Sequence, residues 1–74
     1  MFYLVKRNVY GDLLFYNARK KGFRYDAGSG YASLESAKSA FKILSENNQI
    51  NSNEVEIFST ESVLNHYNTV TSLD

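Results

Sequence analysis

The chain has no cysteine, no proline and no tryptophan, and its 8 basic and 8 acidic residues leave a formal net charge of zero. Without a thiol there is no disulfide framework and no cysteine-based zinc site. Long hydrophobic runs are also missing. The longest, residues 1–5 and 13–16, hold five and four residues, far short of the roughly 18–20 that span a bilayer. The first of these runs precedes Lys6 and Arg7, the reverse of the order in a secretory signal, where charge comes first. The expectation is a soluble, cytoplasmic protein with no membrane partner. The lack of cysteine is compatible with a reducing compartment.

What is present points to a folded chain. Of the 74 residues, 43% are hydrophobic and 15% aromatic, too apolar and too weakly charged for a disordered segment. This length predicts one domain over residues 1–74. A domain so small buries only about 60% of its unfolded surface, so its stability rests on efficient packing, a partner or self-association. The 6 Tyr and 5 Phe bring large buried area per residue.

The pattern along the chain reads β-β-β-α-β-α, a small α+β domain: an antiparallel sheet with one main helix on a face and a short C-terminal helix. Residues 2–7 and 13–16 are rich in β-favouring types, with a hairpin turn near Gly11-Asp12. A second turn over residues 18–22 places Gly22 where a positive φ is needed, and residues 23–25 make a short third strand. Ser33 is a suitable N-cap, with Glu35 in the first turn of a helix over residues 34–46. Leu34, Ala37, Phe41 and Leu44 share one face of that helix. Asn47-Asn48-Gln49 ends it. The alternation in residues 54–58 predicts a half-buried strand with Glu54 and Glu56 on one face. Ser59 or Thr60 then caps a helix near residues 61–67, with Val63, Leu64 and Tyr67 on one side. The polar tail, residues 68–74, frays or adds a short strand. The first two strands are apolar on both faces, so the second helix or a second copy of the chain is expected to cover the face that the main helix leaves open, the alternative being a functional hydrophobic patch.

No set of residues announces catalysis. His66 is the single histidine, and Glu61, five residues away, is poorly aligned with it on a helix for shared metal binding. A cation near a helix C-terminus is the simpler account of His66. Nine serines make a paper triad with His66 and Asp26 cheap, and none sits in a nucleophile elbow. Gly28-Ser29-Gly30 precedes a helix but lacks the Gly-Lys-Ser/Thr ending of a phosphate loop. No catalytic, metal or cofactor site is assigned.

The charges are unevenly placed. Residues 1–25 carry six basic side chains against Asp12 alone, a formal +5, and residues 26–74 carry Lys38 and Lys42 against seven acids, a formal −5. Arg19-Lys20-Lys21 with Arg24 is the densest basic cluster, with Tyr16 and Tyr25 near it in sequence. Together with Arg7 these form the candidate partner-binding set. A soluble turn that keeps its lysines in water is the plain account of this cluster; cations interleaved with aromatics also suit a protein interface, where Tyr and Arg are favoured anchors. They also suit nucleic acid, where cations meet phosphates and rings stack on bases. Nothing matches the RNA-binding octamer or a helix-turn-helix.

The stretch Tyr31-Ala32-Ser33-Leu34-Glu35-Ser36-Ala37-Lys38, followed by Val55-Glu56-Ile57-Phe58-Ser59-Thr60-Glu61, resembles short strand-helix-strand proteins encoded by bacteriophages, and the asparagine-rich, proline-free composition resembles theirs too. That resemblance covers about half the chain and carries over no functional residue. It implies a non-enzymatic, stoichiometric inhibitor of a host system, anti-CRISPR proteins being one such class. The target would then be a host protein or nucleoprotein complex in the host cytoplasm. A small nucleic-acid-binding protein and a homodimer stay open beside it.

Overall fold

The computed structural model describes residues 1–28 and 30–72, with residues 68–72 described by backbone alone. Six elements follow in order: β1 (Phe2–Arg7), β2 (Leu13–Asn17), β3 (Gly22–Arg24), α1 (Leu34–Glu46), β4 (Glu56–Ser59) and α2 (Thr60–Ser72). All strand pairs are antiparallel, and the sheet order is β3-β2-β1-β4. This is the α+β arrangement expected from the sequence.

Alternation along β1 divides the core between the two faces. Leu4 faces α1, clustering with Ala37 from the helix and with Ile50 and Val55 from the segment after it. Val5 faces the other way, clustering with Leu13 and Phe15, and Val63 of α2 packs against that group. Leu4 and Val5 are each only 1% exposed. A central strand apolar on both sides therefore has cover on both sides, and the second helix supplies what the main helix cannot. The register Val5↔Phe15 and Tyr3↔Phe58 puts those four side chains on the α2 face, where Tyr3 and Phe15 meet edge to face at 5.5 Å.

Local chemistry sets the ends of α1. The Ser33 hydroxyl accepts from the Ser36 amide at 3.1 Å, as an N-cap does. At the far end Asn48 takes a positive φ of 59°. The Asn48 amide donates to the Ser45 carbonyl at 3.2 Å and the Gln49 amide to the Leu44 carbonyl at 2.9 Å. This is a left-handed cap with Asn in place of the usual Gly. It turns the chain so that Ile50 enters the core. Of the four apolar residues expected on one helix face, Ala37, Phe41 and Leu44 face inward, while Leu34 at the first turn stays exposed.

Several details differ from the sequence expectation. The third strand is Gly22–Arg24, one residue earlier than predicted. The positive φ of the β2–β3 turn falls on Lys21, at 51°, and not on Gly22. Asn17 and Gly22 are paired across the two strands, so the left-handed residue must lie inside the loop, and the last loop position belongs to Lys21. Glu54 lies in a turn before β4, its amide bonded to the Asn51 carbonyl at 3.0 Å, so it shares no strand face with Glu56. Capped by the Ser59 hydroxyl on the Ser62 amide at 3.1 Å, α2 stays helical to Ser72. The tail expected to fray or form a strand is thus helical through residue 72, and Leu73 and Asp74 lie outside the described residues. Val63 alone of its expected trio joins the core cluster, while Leu64 and Tyr67 are exposed.

Candidate functional site

An antiparallel meander sends successive turns to opposite ends of the sheet. The β1–β2 loop and the β2–β3 turn are therefore separated by the length of β2, roughly 13 Å for five residues at strand rise. This separation divides the candidate residues.

Arg19, Lys20 and Lys21 lie together at the β2–β3 turn, all exposed. Asn17 builds that turn. Its side-chain oxygen accepts from the Arg19 amide at 3.0 Å and the Lys20 amide at 3.1 Å. The loop backbone is held by this short-range device, and the cationic side chains stay in water. Among the described residues the single ion pair is Arg7 with Glu56 at 3.9 Å, so the three turn cations and Arg24 have no carboxylate at ion-pair distance.

A groove of about 370 Å³ runs along β3, lined by Lys20, Gly22, Phe23, Arg24, Tyr25 and Asp26. It joins one cation of the turn to Arg24 and to the Tyr25 ring, which is 67% exposed. Three of the seven candidate residues thus share one surface. Asp26 is the single acid in it.

Two candidates lie elsewhere. Arg7 ends β1, at the end of the sheet opposite the basic turn. It pairs with Glu56 and lies 6.0 Å from the centre of the Phe58 ring. Tyr16 points to the α1 face, where its hydroxyl donates to the Gln49 side-chain oxygen at 3.3 Å and its ring meets Phe23 edge-on at 5.4 Å. Burial raises the pKa of the neighbouring Tyr31 hydroxyl above its ordinary value, and the charge of Tyr16 adds to the rise. Lys6, which sequence reasoning passed over, sits on this same face with its ammonium 4.6 Å from the centre of the Phe23 ring.

The opposite end of the sheet carries a second surface that no motif marked. Three residues, Val9, Tyr10 and Gly11, span the β1–β2 loop between Asn8 and Asp12, with Gly11 left-handed at φ 84°. The Gly11 amide donates to the Asn8 carbonyl, and the Asn8 amide to the Asp12 carbonyl, each at 3.0 Å. This is a tight turn closed by a left-handed glycine. The Asn8 side-chain oxygen also accepts from the Tyr10 and Asp12 amides at 2.9 and 3.0 Å. From α2, His66 Nε2 donates to the Gly11 carbonyl at 3.2 Å. His66 therefore sits mid-helix and braces a loop, which replaces the expected role at a helix C-terminus. The loop is fixed, yet Val9 is 92% and Tyr10 85% exposed.

The glycine loop before α1 serves the fold. Tyr31 and Phe2 exchange amide-to-carbonyl bonds at 2.7 Å each, and Gly30, at φ 64°, lies so close to the Tyr3 ring that a Cβ would stand 2.7 Å from it. Its neighbour Ser29 lies outside the described residues. Among the described residues no three or more His, Cys, Asp or Glu side chains come together as a metal site would need. No helix among them is long and apolar enough to cross a membrane. The chain matches no protein-family model, no curated protein and no solved structure.

Proposed function

We propose that this protein is a small non-enzymatic binding module that docks in fixed stoichiometry on an acidic surface of a partner protein. The contact is the basic β2–β3 turn together with the β3 groove. One observation supports this reading: Arg19, Lys20, Lys21 and Arg24 stand without an ion-pair partner among the described residues, the first three on a turn whose backbone Asn17 already holds and Arg24 at the end of β3. A fixed backbone leaves only the side chains to be ordered on binding, and exposed charges speed encounter with an oppositely charged surface. Tyr25, at the far end of the groove where its hydroxyl accepts from Asn8 of the β1–β2 loop, adds an amphipathic anchor. Small size and the resemblance to phage-encoded inhibitors support a host protein or nucleoprotein complex, such as a CRISPR-Cas effector, as the target class.

The experiment is affinity capture from a cell lysate, with and without nuclease, using the wild-type chain and the variant Arg19→Glu/Lys20→Glu/Lys21→Glu. The reading expects a protein retained in fixed ratio after nuclease treatment and lost with the variant. Equal capture by the folded variant rejects the site.

The β3 groove favours one second reading. Its pairing of Lys20 and Arg24 with the Tyr25 ring suits a single-stranded nucleic acid, with phosphates on the cations and a base on the ring. Nuclease-sensitive capture and a gel shift that weakens steeply with salt would select it.

A further inference from the structure

We propose that the loop at the other end of the sheet, with Tyr10 at its tip, mediates association with a second copy of this chain. Turn chemistry accounts for Asn8, Gly11 and Asp12 but not for Val9 and Tyr10. Positions in such a loop favour Asn, Asp, Gly and Pro, and a β-branched residue like Val9 is poorly suited to the helical backbone of a tight turn. The surrounding bonds from Asn8 and His66 hold the loop rigid, yet two large side chains stand almost wholly in water. A rigid knob of this kind is prepared for a hole.

The hole lies beside it. Because β4 pairs with β1 only as far as Val5↔Glu56, β1 runs on past the start of β4. The gap leaves a groove of about 480 Å³ lined by Val5, Arg7, Val9, Leu14, Glu54 and Glu56 among others. That volume has room for an aromatic side chain with space left for its neighbours. Its floor is apolar, and two carboxylates at the rim can accept the phenol hydroxyl. Val9 belongs to both features, so knob and groove are contiguous. Two copies related by a two-fold axis can each place Tyr10 in the other's groove, which is the self-complementarity an isologous dimer requires. The groove carries both signs in equal number, Lys6 and Arg7 against Glu54 and Glu56, so copies meet without net repulsion. Counting both sides of each contact, two buried tips remove on the order of 1,000 Å² from water. That area corresponds to a reversible, concentration-dependent dimer.

The basic turn lies at the opposite end of the sheet. Such a dimer would display two turns, and an acidic partner with repeated sites would be held by both.

Sedimentation equilibrium tests this on the full chain. The wild type is expected to shift from monomer to dimer as concentration rises, and Tyr10→Ser to weaken the dimer by at least about tenfold with an unchanged circular dichroism spectrum. Tyr10→Phe keeps most of the association, since the ring supplies most of the buried area. Arg19→Glu/Lys20→Glu/Lys21→Glu leaves it unchanged, so this test succeeds or fails apart from the proposed partner site. A wild type still monomeric at about 1 mM, or a Tyr10→Ser chain that dimerises as well as wild type, overturns the proposal. So does Tyr10-dependent sedimentation of the monomer with anionic phospholipid vesicles, which would make the loop a lipid contact.

Discussion

The Asn8 side-chain amide donates to the Tyr25 hydroxyl across 3.1 Å, tying the β1–β2 loop to the residue that follows β3. With its oxygen on the Tyr10 and Asp12 amides, one asparagine holds a loop and links it to the far strand. Asn8→Ala removes these bonds, and a fourth to the Asp12 carboxylate at 3.4 Å, and should cost about 1–2 kcal/mol, a fall in Tm of roughly 5–15 °C for a domain of this size. Thermal unfolding followed by circular dichroism measures it. A change under about 0.5 kcal/mol, the usual range for an ordinary surface substitution, would contradict the bracing role.

Gly30→Ala tests the glycine loop. Gly30 has a positive φ of 64°, and an added Cβ would meet Tyr3 Cε1 at 2.7 Å and the Phe2 carbonyl oxygen at 3.1 Å. Left-handed strain alone costs roughly 1–2 kcal/mol, and displacing Tyr3 disturbs its contact with Phe15. Urea unfolding should show a lower midpoint at an unchanged slope.

Lys21→Gly works in the other direction. Lys21 holds φ 51°, a conformation in which glycine carries no steric penalty. Relief of that strain, less the added freedom of the unfolded chain, should stabilise by about 0.5–1 kcal/mol. The same variant removes one cation from the basic turn, so partner affinity should fall while Tm rises. That opposition separates a binding role from a structural one at this residue.

Tyr31 predicts an alkaline limb. Its folded-state pKa lies above the ordinary value of 10.0, by burial first and by the charge of Tyr16 second. The unfolded chain therefore loses this proton at lower pH than the folded one, and stability declines as pH rises past about 10. Below that pH both states are protonated and the effect is absent. Tyr31→Phe should flatten the decline between neutral pH and pH 11 in a series of urea midpoints, and an equally steep loss in the variant would contradict the assignment.

How much of this was legible in the sequence depends on how local each signal is. The bounds of α1 follow from Ser33, the apolar spacing and Asn47-Asn48, all within a turn of the residues they govern. The extent of α2 was not legible, because its second half is polar and offers no glycine or proline to stop it. The positive φ at Lys21 was hidden because glycine stood next to it, and strand register decided between the two. Tyr16 and Tyr25 flank the basic run in sequence. Alternation of faces sends Tyr16 toward α1 and the groove along β3 keeps Tyr25 with Arg24. Val9 and Tyr10 fall between the expected strand over residues 2–7 and the expected turn near Gly11-Asp12, and the hydrogen bonds of Asn8 make them a fixed tip.

The central claim is that the basic turn and β3 groove form the docking surface. It is tested most directly by amide chemical-shift mapping of the ¹⁵N-labelled chain against the captured partner. The account predicts perturbations concentrated on residues 18–25, saturating at a fixed molar ratio, and their disappearance when Arg19, Lys20 and Lys21 are changed to Glu. Perturbations confined to α1 or α2, or an undiminished complex with the folded triple variant, would contradict it.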